Sequence, residues 1–220
     1  MRFRHQLCLL GLVLPLAGCL SSSGKLGDDP AAFAEAERAA AFDGLLALNA
    51  SANDAERRIA QRGLRDRFTR LALQLPNDAD VRSALGALAD SLGDRVGARR
   101  ALDQALRLDP GHVAAAVLQA KLMAEDGDLD NARAVLDRAR ILRPREPELL
   151  LALAQVESLE GNSTLALAFL DEAESAGAEA WRVEYDRSIV HEFAGDEDAA
   201  RAAYERALEL APSADRLPVR

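Results

Sequence analysis

Cysteine is nearly missing from this 220-residue chain. The two that occur, Cys8 and Cys19, both fall within the first 19 positions. Everything downstream therefore lacks a disulfide, a thiolate metal site or a cysteine nucleophile. Histidine is almost as scarce. His5 lies near the N-terminus, His112 follows Pro110 and Gly111, and His191 stands alone, so no pair has metal-ligand spacing. No Walker loop, nucleophile elbow or glycine-rich dinucleotide fingerprint occurs. The run Glu125-Asp126-Gly127-Asp128-Leu129-Asp130 is acidic enough to suggest calcium, but it lacks the EF-hand order and the terminal glutamate. It reads as helix capping. The expectation is a non-enzyme with no metal and no catalytic residues.

Aromatic residues are also few, at 4%, whereas hydrophobic residues reach 49%. The apolar content is mostly Ala, Leu and Val, which suits closely packed helices more than an aromatic-rich sandwich. The formal net charge is −9. Such a chain repels phosphate backbones and gains no general affinity for nucleic acid. A partner with a positive patch is favoured electrostatically.

The N-terminus carries a compact signal. Arg2 and Arg4 form a basic segment, and Leu7 to Ala17 form an apolar stretch interrupted by Pro15. That stretch is too short to span a bilayer and reads as a targeting segment over residues 1–18. Leu16, Ala17, Gly18 and Cys19 then resemble the lipobox of bacterial lipoproteins. The resemblance implies cleavage before Cys19 and a covalent lipid on its thiol as the only attached group. Removal of Arg2 and Arg4 would bring the charge near −11. Leu20 stands where inner-membrane lipoproteins of this family commonly have Asp. That implies an outer-membrane anchor facing the periplasm. Residues 19–29 read as the lipidated Cys and a flexible tether.

An internal repeat organises the rest. Gly93, Gly127, Gly161 and Gly195 are each 34 residues apart. Five residues after each comes alanine: Ala98, Ala132, Ala166 and Ala200. Four further on stand Leu102, Leu136, Leu170 and Tyr204, and three beyond those Ala105, Ala139, Ala173 and Ala207. Proline follows at Pro110, Pro144 and Pro212, with Ala178 in the third unit. Small residues precede each glycine at Gly86, Ala120, Ala154 and Ser188. The glycines allow the positive φ of an interhelical turn. Asp94, Asp128, Asn162 and Asp196 can cap the helix that follows.

These landmarks resemble the tetratricopeptide repeat, a 34-residue helix–turn–helix unit. The resemblance implies an all-α, right-handed superhelix of antiparallel helix pairs. Four units are expected at 79–112, 113–146, 147–180 and 181–212, with a tail at 213–220. Leu64, Phe68, Leu71 and Pro76 match second-helix positions one period earlier, so residues 30–78 are expected to be a degenerate N-terminal helix pair that caps the stack. Arg82, Ala116 and Glu184 depart from the family's early first-helix pattern, as do Gln119 and Arg187. The register of the second and fourth first helices is open on this reading.

In this family, first helices line the concave face. Carried over, the groove comprises Val117, Lys121, Leu151, Gln155, Tyr185, Ile189 and Phe193, flanked by Glu148 and Arg182. Its apolar character suits a peptide or helix, although Tyr185, Ile189 and Phe193 also have the spacing of an internal core stripe. The last helix, with Ala200, Ala203, Tyr204 and Ala207, lacks a following unit. It is a candidate for self-association. The implied function is a tethered scaffold for envelope assembly, with secretin or pilus-assembly components as partners. An adaptor that recruits peptidoglycan enzymes is the alternative, and a catalytic lipoprotein using the array to bind substrate a third.

Overall fold

The computed structural model describes residues 30–48 and 53–212. The expected lipobox Leu16–Ala17–Gly18, the expected lipidation site Cys19 and the expected tether and tail lie outside the described residues. Among the described residues ten α-helices run in order: α1 (Pro30–Leu48), α2 (Asp54–Gln74), α3 (Ala79–Ser91), α4 (Arg95–Leu108), α5 (Val113–Glu125), α6 (Leu129–Leu142), α7 (Pro147–Leu159), α8 (Ser163–Ser175), α9 (Ala180–Phe193) and α10 (Glu197–Leu210). No strand occurs among the described residues. No described helix is long and apolar enough to cross a membrane.

The helices pack as successive antiparallel pairs. Each second helix also meets the first helix of the next pair, and α5 and α9 both flank α7. The second helices begin at Arg95, Leu129, Ser163 and Glu197, 34 residues apart. The first helices follow the same period to within one residue, so no register shift occurs in the second or fourth pair. The substitutions at Gln119 and Glu184 are absorbed by polar partners. Gln119 donates to Asp103 of the preceding pair at 2.9 Å, and Glu184 accepts from Arg206 at 2.7 Å.

The turn chemistry follows the landmarks. Gly93, Gly127, Gly161 and Gly195 all have φ near +80°. Each sits in a double hydrogen-bonded helix end; at the first, Gly93 N–H donates to Asp90 and Asp94 N–H to Ala89. Asp94 and Asp196 cap α4 and α10 as the pattern suggests. Asp128 and Asn162 make no cap bond, because Asp128 is engaged by Asn131 and Asn162 donates to Glu157 and Glu160. His112 caps α5 through Nδ1 while its Nε2 lies 3.0 Å from Asp80. The third link, lacking proline, ends α8 with Gly177 at φ +98° in the same kind of turn.

Small residues set the helix spacing. A Cβ on Gly86 would come within 2.7 Å of Leu102, so a larger residue there would force Leu102 to shift. Ala98, Ala132 and Ala166 are fully buried, as are Leu102, Leu136 and Leu170. In the last pair Ala203 and Ala207 are buried too, contrary to the expectation of an uncovered face, because both turn towards α9. Of the four, Ala200 and Tyr204 are half-exposed. At the other end, Phe42 meets Phe68 edge-to-face at 5.1 Å and ties α1 to α2. This pair joins α3 through Phe68, Leu71, Val81 and Leu88.

Candidate peptide-binding groove

An apolar hollow lies between α5 and α7. Its volume is about 350 Å³. Ala120, Ala124 and Ala152 leave the space, and Val117, Val156 and Leu159 supply its apolar wall. The alanines have no side chain to fill the gap between two first helices held at a fixed spacing by their second helices. Lys121, Glu125 and Gln155 form the rim. Lys121 lies 3.8 Å from Asp90 and 3.7 Å from Glu125, so the rim charges are paired in the empty groove. Arg95 reaches Glu125 from α4 at 2.6 Å and holds its carboxyl below the usual range.

Three of the expected groove residues, Val117, Lys121 and Gln155, thus come together. Leu151 does not line the hollow. It is 2% exposed and packs with Leu150, Ala154 and Val183, because α9 lies against that side of α7. Tyr185, Ile189 and Phe193 stand on α9, one helix further on. Tyr185 is half-buried with its ring 6.4 Å from that of Tyr204, Ile189 is half-buried, and Phe193 is 61% exposed. The single apolar strip expected from sequence is therefore two separate surfaces.

A polar bridge divides them. Glu148 of α7 accepts two bonds from Arg182 of α9, at 2.6 and 2.8 Å. The two residues are 34 apart and occupy the same repeat position, a signal present in the sequence. Arg182 draws the Glu148 carboxyl below its ordinary range. Beside it, Gln155 donates to Asp186 at 3.3 Å. Burial pushes the Asp186 carboxyl up to about 6, with Gln155 and Arg182 pulling the other way. Sequence periodicity did not single out Asp186, since an acid at this helix position looks like any solvated one.

Among the described residues no group of three or more His, Cys, Asp or Glu is arranged to hold a metal ion. The chemistry on offer is apolar contact with a charged rim, suited to binding an extended or helical segment.

Comparison with known proteins agrees with this architecture. Two tetratricopeptide-repeat models match, one over residues 91–156 and the other over 185–213. A relative, cellulose synthase operon protein C of Pseudomonas fluorescens (strain SBW25), is 31% identical over 164 residues covering 64% of this chain. The match spans only 12% of that protein's length. Among solved structures, PilF of Pseudomonas aeruginosa superposes with a TM-score of 0.64 at 16% identity, covering 81% of this chain and 78% of its own. PilW, described as a widely conserved type IV pilus biogenesis factor, reaches 0.66 at 15% identity, covering 80% and 78%. At such identities the likeness is one of fold. The chain carries tetratricopeptide repeats in an all-α stack of the fold these structures share.

Proposed function

We propose that the protein is a lipid-anchored adaptor that holds partner proteins together during assembly of a cell-envelope complex, a secretin or pilus. The α5–α7 groove carries this reading: an apolar floor with paired rim charges, on a rigid stack, is built to take a partner segment rather than to transform a substrate. The lipobox Leu16–Cys19 supports a tether to the outer membrane on the periplasmic side. The fold shared with PilF and PilW supports the pilus setting. The half-exposed Ala200 and Tyr204 offer a second contact at the end of the stack, open to another copy of the chain.

The test places a photo-crosslinking residue at Val117 in the native cell and follows assembled secretin in a deletion strain. Crosslinks to a secretin or pilus subunit, and loss of assembled multimers on deletion, are expected. Val117→Lys with Leu159→Lys should reproduce that loss while the protein remains folded. Normal multimers in the deletion strain would refute the assembly role.

A further inference from the structure

The second helices are electrically graded along the stack. α2 carries six arginines against three acids, and α4 four arginines against one. At the far end α8 has three acids and no base, and α10 four acids against two arginines. Arg95 and Arg99 of α4 are neutralised by Glu125 and Asp126 of α5, so in a chain of net charge −9 the unpaired positive charge gathers on α2.

On α2 four of the six arginines fall within the outward arc, which also carries one exposed acid, Asp66, between Arg62 and Arg70. Arg58, Arg62 and Arg65 recur at the spacing of a single helical face, and Arg70 flanks them. Arg58, Arg62 and Arg70 are exposed and Arg65 half-exposed. None of the four forms an ion pair or a side-chain hydrogen bond among the described residues, whereas Arg67 on the inward side is paired with Glu37 at 2.5 Å. Two large apolar residues stand on the same outer face, Ile59 at 70% and Leu73 at 80% exposure. Neither belongs to a buried cluster among the described residues.

We propose that this outer face of α2 docks on an anionic phospholipid surface, the arginines meeting headgroup phosphates and Ile59 and Leu73 entering the boundary with the acyl chains. Basic side chains interleaved with exposed aliphatic ones are what an interfacial helix presents to an acidic membrane. Chain length agrees. α1 and α2 are antiparallel, with Glu37 beside Arg67 and Phe42 beside Phe68. The end of α2 bearing Arg70 and Leu73 therefore lies beside the start of α1 at Pro30. Cys19 precedes Pro30 by eleven residues, a reach of roughly 35–40 Å when extended. A lipid on Cys19 would hold the basic end of the stack near the surface, and the inference rests on that anchor for its biological setting. The acidic α8 and α10 lie several helices away, beyond the ~10 Å over which charges act at 0.1 M salt. Docking would hold the C-terminal half, with its own open edge, away from the lipid.

The experiment measures partition of the full chain onto vesicles of pure phosphatidylcholine and of phosphatidylcholine with one-third phosphatidylglycerol, at low and high salt. The full chain should prefer the anionic vesicles ten- to a hundredfold at low salt, since each arginine near such a surface contributes about fivefold. High salt should erase that preference. R58Q/R62Q/R70Q should lose most of the preference with an unchanged circular dichroism spectrum. Ile59→Ser with Leu73→Ser should weaken binding to anionic vesicles while the salt dependence remains. Binding to phosphatidylcholine alone reports the anchor, so failure of the anchor reading would leave the lipid preference intact. Equal partition of the full chain onto both vesicle types, or an unaltered preference in R58Q/R62Q/R70Q, would overturn the proposal. So would salt-sensitive self-association that vesicles do not compete away, which would assign the basic face to the acidic end of a second copy.

Discussion

Leu102, Leu136, Leu170 and Tyr204 occupy one repeat position, yet the three leucines are fully buried and the tyrosine is half-exposed. The same contrast runs through Ala98, Ala132, Ala166 and Ala200. Local sequence is equivalent in all four units. What differs is the helix that comes next: α5, α7 and α9 cover α4, α6 and α8, and no described helix covers α10. Burial at a repeat position is thus a property of the neighbouring unit, which is the physical meaning of a quasi-one-dimensional fold.

The largest expected effect tests that contrast directly. Leu136→Ala should cost about 2–5 kcal/mol, through lost transfer energy plus an internal cavity. Tyr204→Ala should cost less than about 2 kcal/mol, since solvent reaches the site already. Denaturant midpoints at constant slope would measure both, and equal costs would break the argument from neighbouring cover.

Asp186 sharpens the comparison at the joint between the third and last pairs. Its carboxyl is raised to about 6 in the folded protein, from 3.8 as the ordinary value. The folded state therefore binds the proton more tightly, and this group's contribution falls as pH rises from about 4 to about 6. Asp186→Asn should match the parent near pH 4 and exceed it by about 1–3 kcal/mol at pH 7. A variant less stable than the parent at pH 7 would contradict the burial assignment.

Gly127→Ala forces a side chain into the left-handed region, with no steric contact within 4 Å of the new Cβ, so the backbone cost of roughly 1–2 kcal/mol should appear alone. Placed in an inner turn, it should lower global stability. Gly195→Ala carries the same strain at the end of the stack, where it should be relieved by local opening of α10, visible as faster hydrogen exchange confined to that helix.

The smallest effect concerns the cross-repeat pair. Glu148 and Arg182 are both partly exposed, so a double-mutant cycle should give a coupling below about 1 kcal/mol that shrinks with salt. Because Arg182 lowers the Glu148 pKa, the coupling is present above the ordinary carboxylate range and lost as acid protonates Glu148. A coupling that survives at low pH would remove the ion pair as its cause.

Much of the architecture was legible because a repeat shows the same requirement several times. Glycine every 34 residues reads as a turn, and small residues at fixed offsets read as helix crossings. Gly177 was not legible, since it falls outside the periodic glycine series and only its φ of +98° reveals its role in the absence of proline. The groove was partly legible. Val117, Lys121 and Gln155 follow from repeat position, but Leu151 at an equivalent position turns out buried under α9. Repeat position predicts which way a side chain points and cannot predict what lies there when neighbouring helices carry different side chains.

The sequence by itself determined the helix pairs, their period and their turns, because φ preference, capping and helix periodicity act over a few residues. It also determined the charge gradient from α2 to α10, which needs only composition. The tertiary structure alone decided that the apolar strip splits at Glu148–Arg182, that Asp186 is desolvated, and that Ala200 and Tyr204 stay half-open. Each of these depends on atoms brought close by packing between units, and desolvation and cover are set by distance in space rather than along the chain.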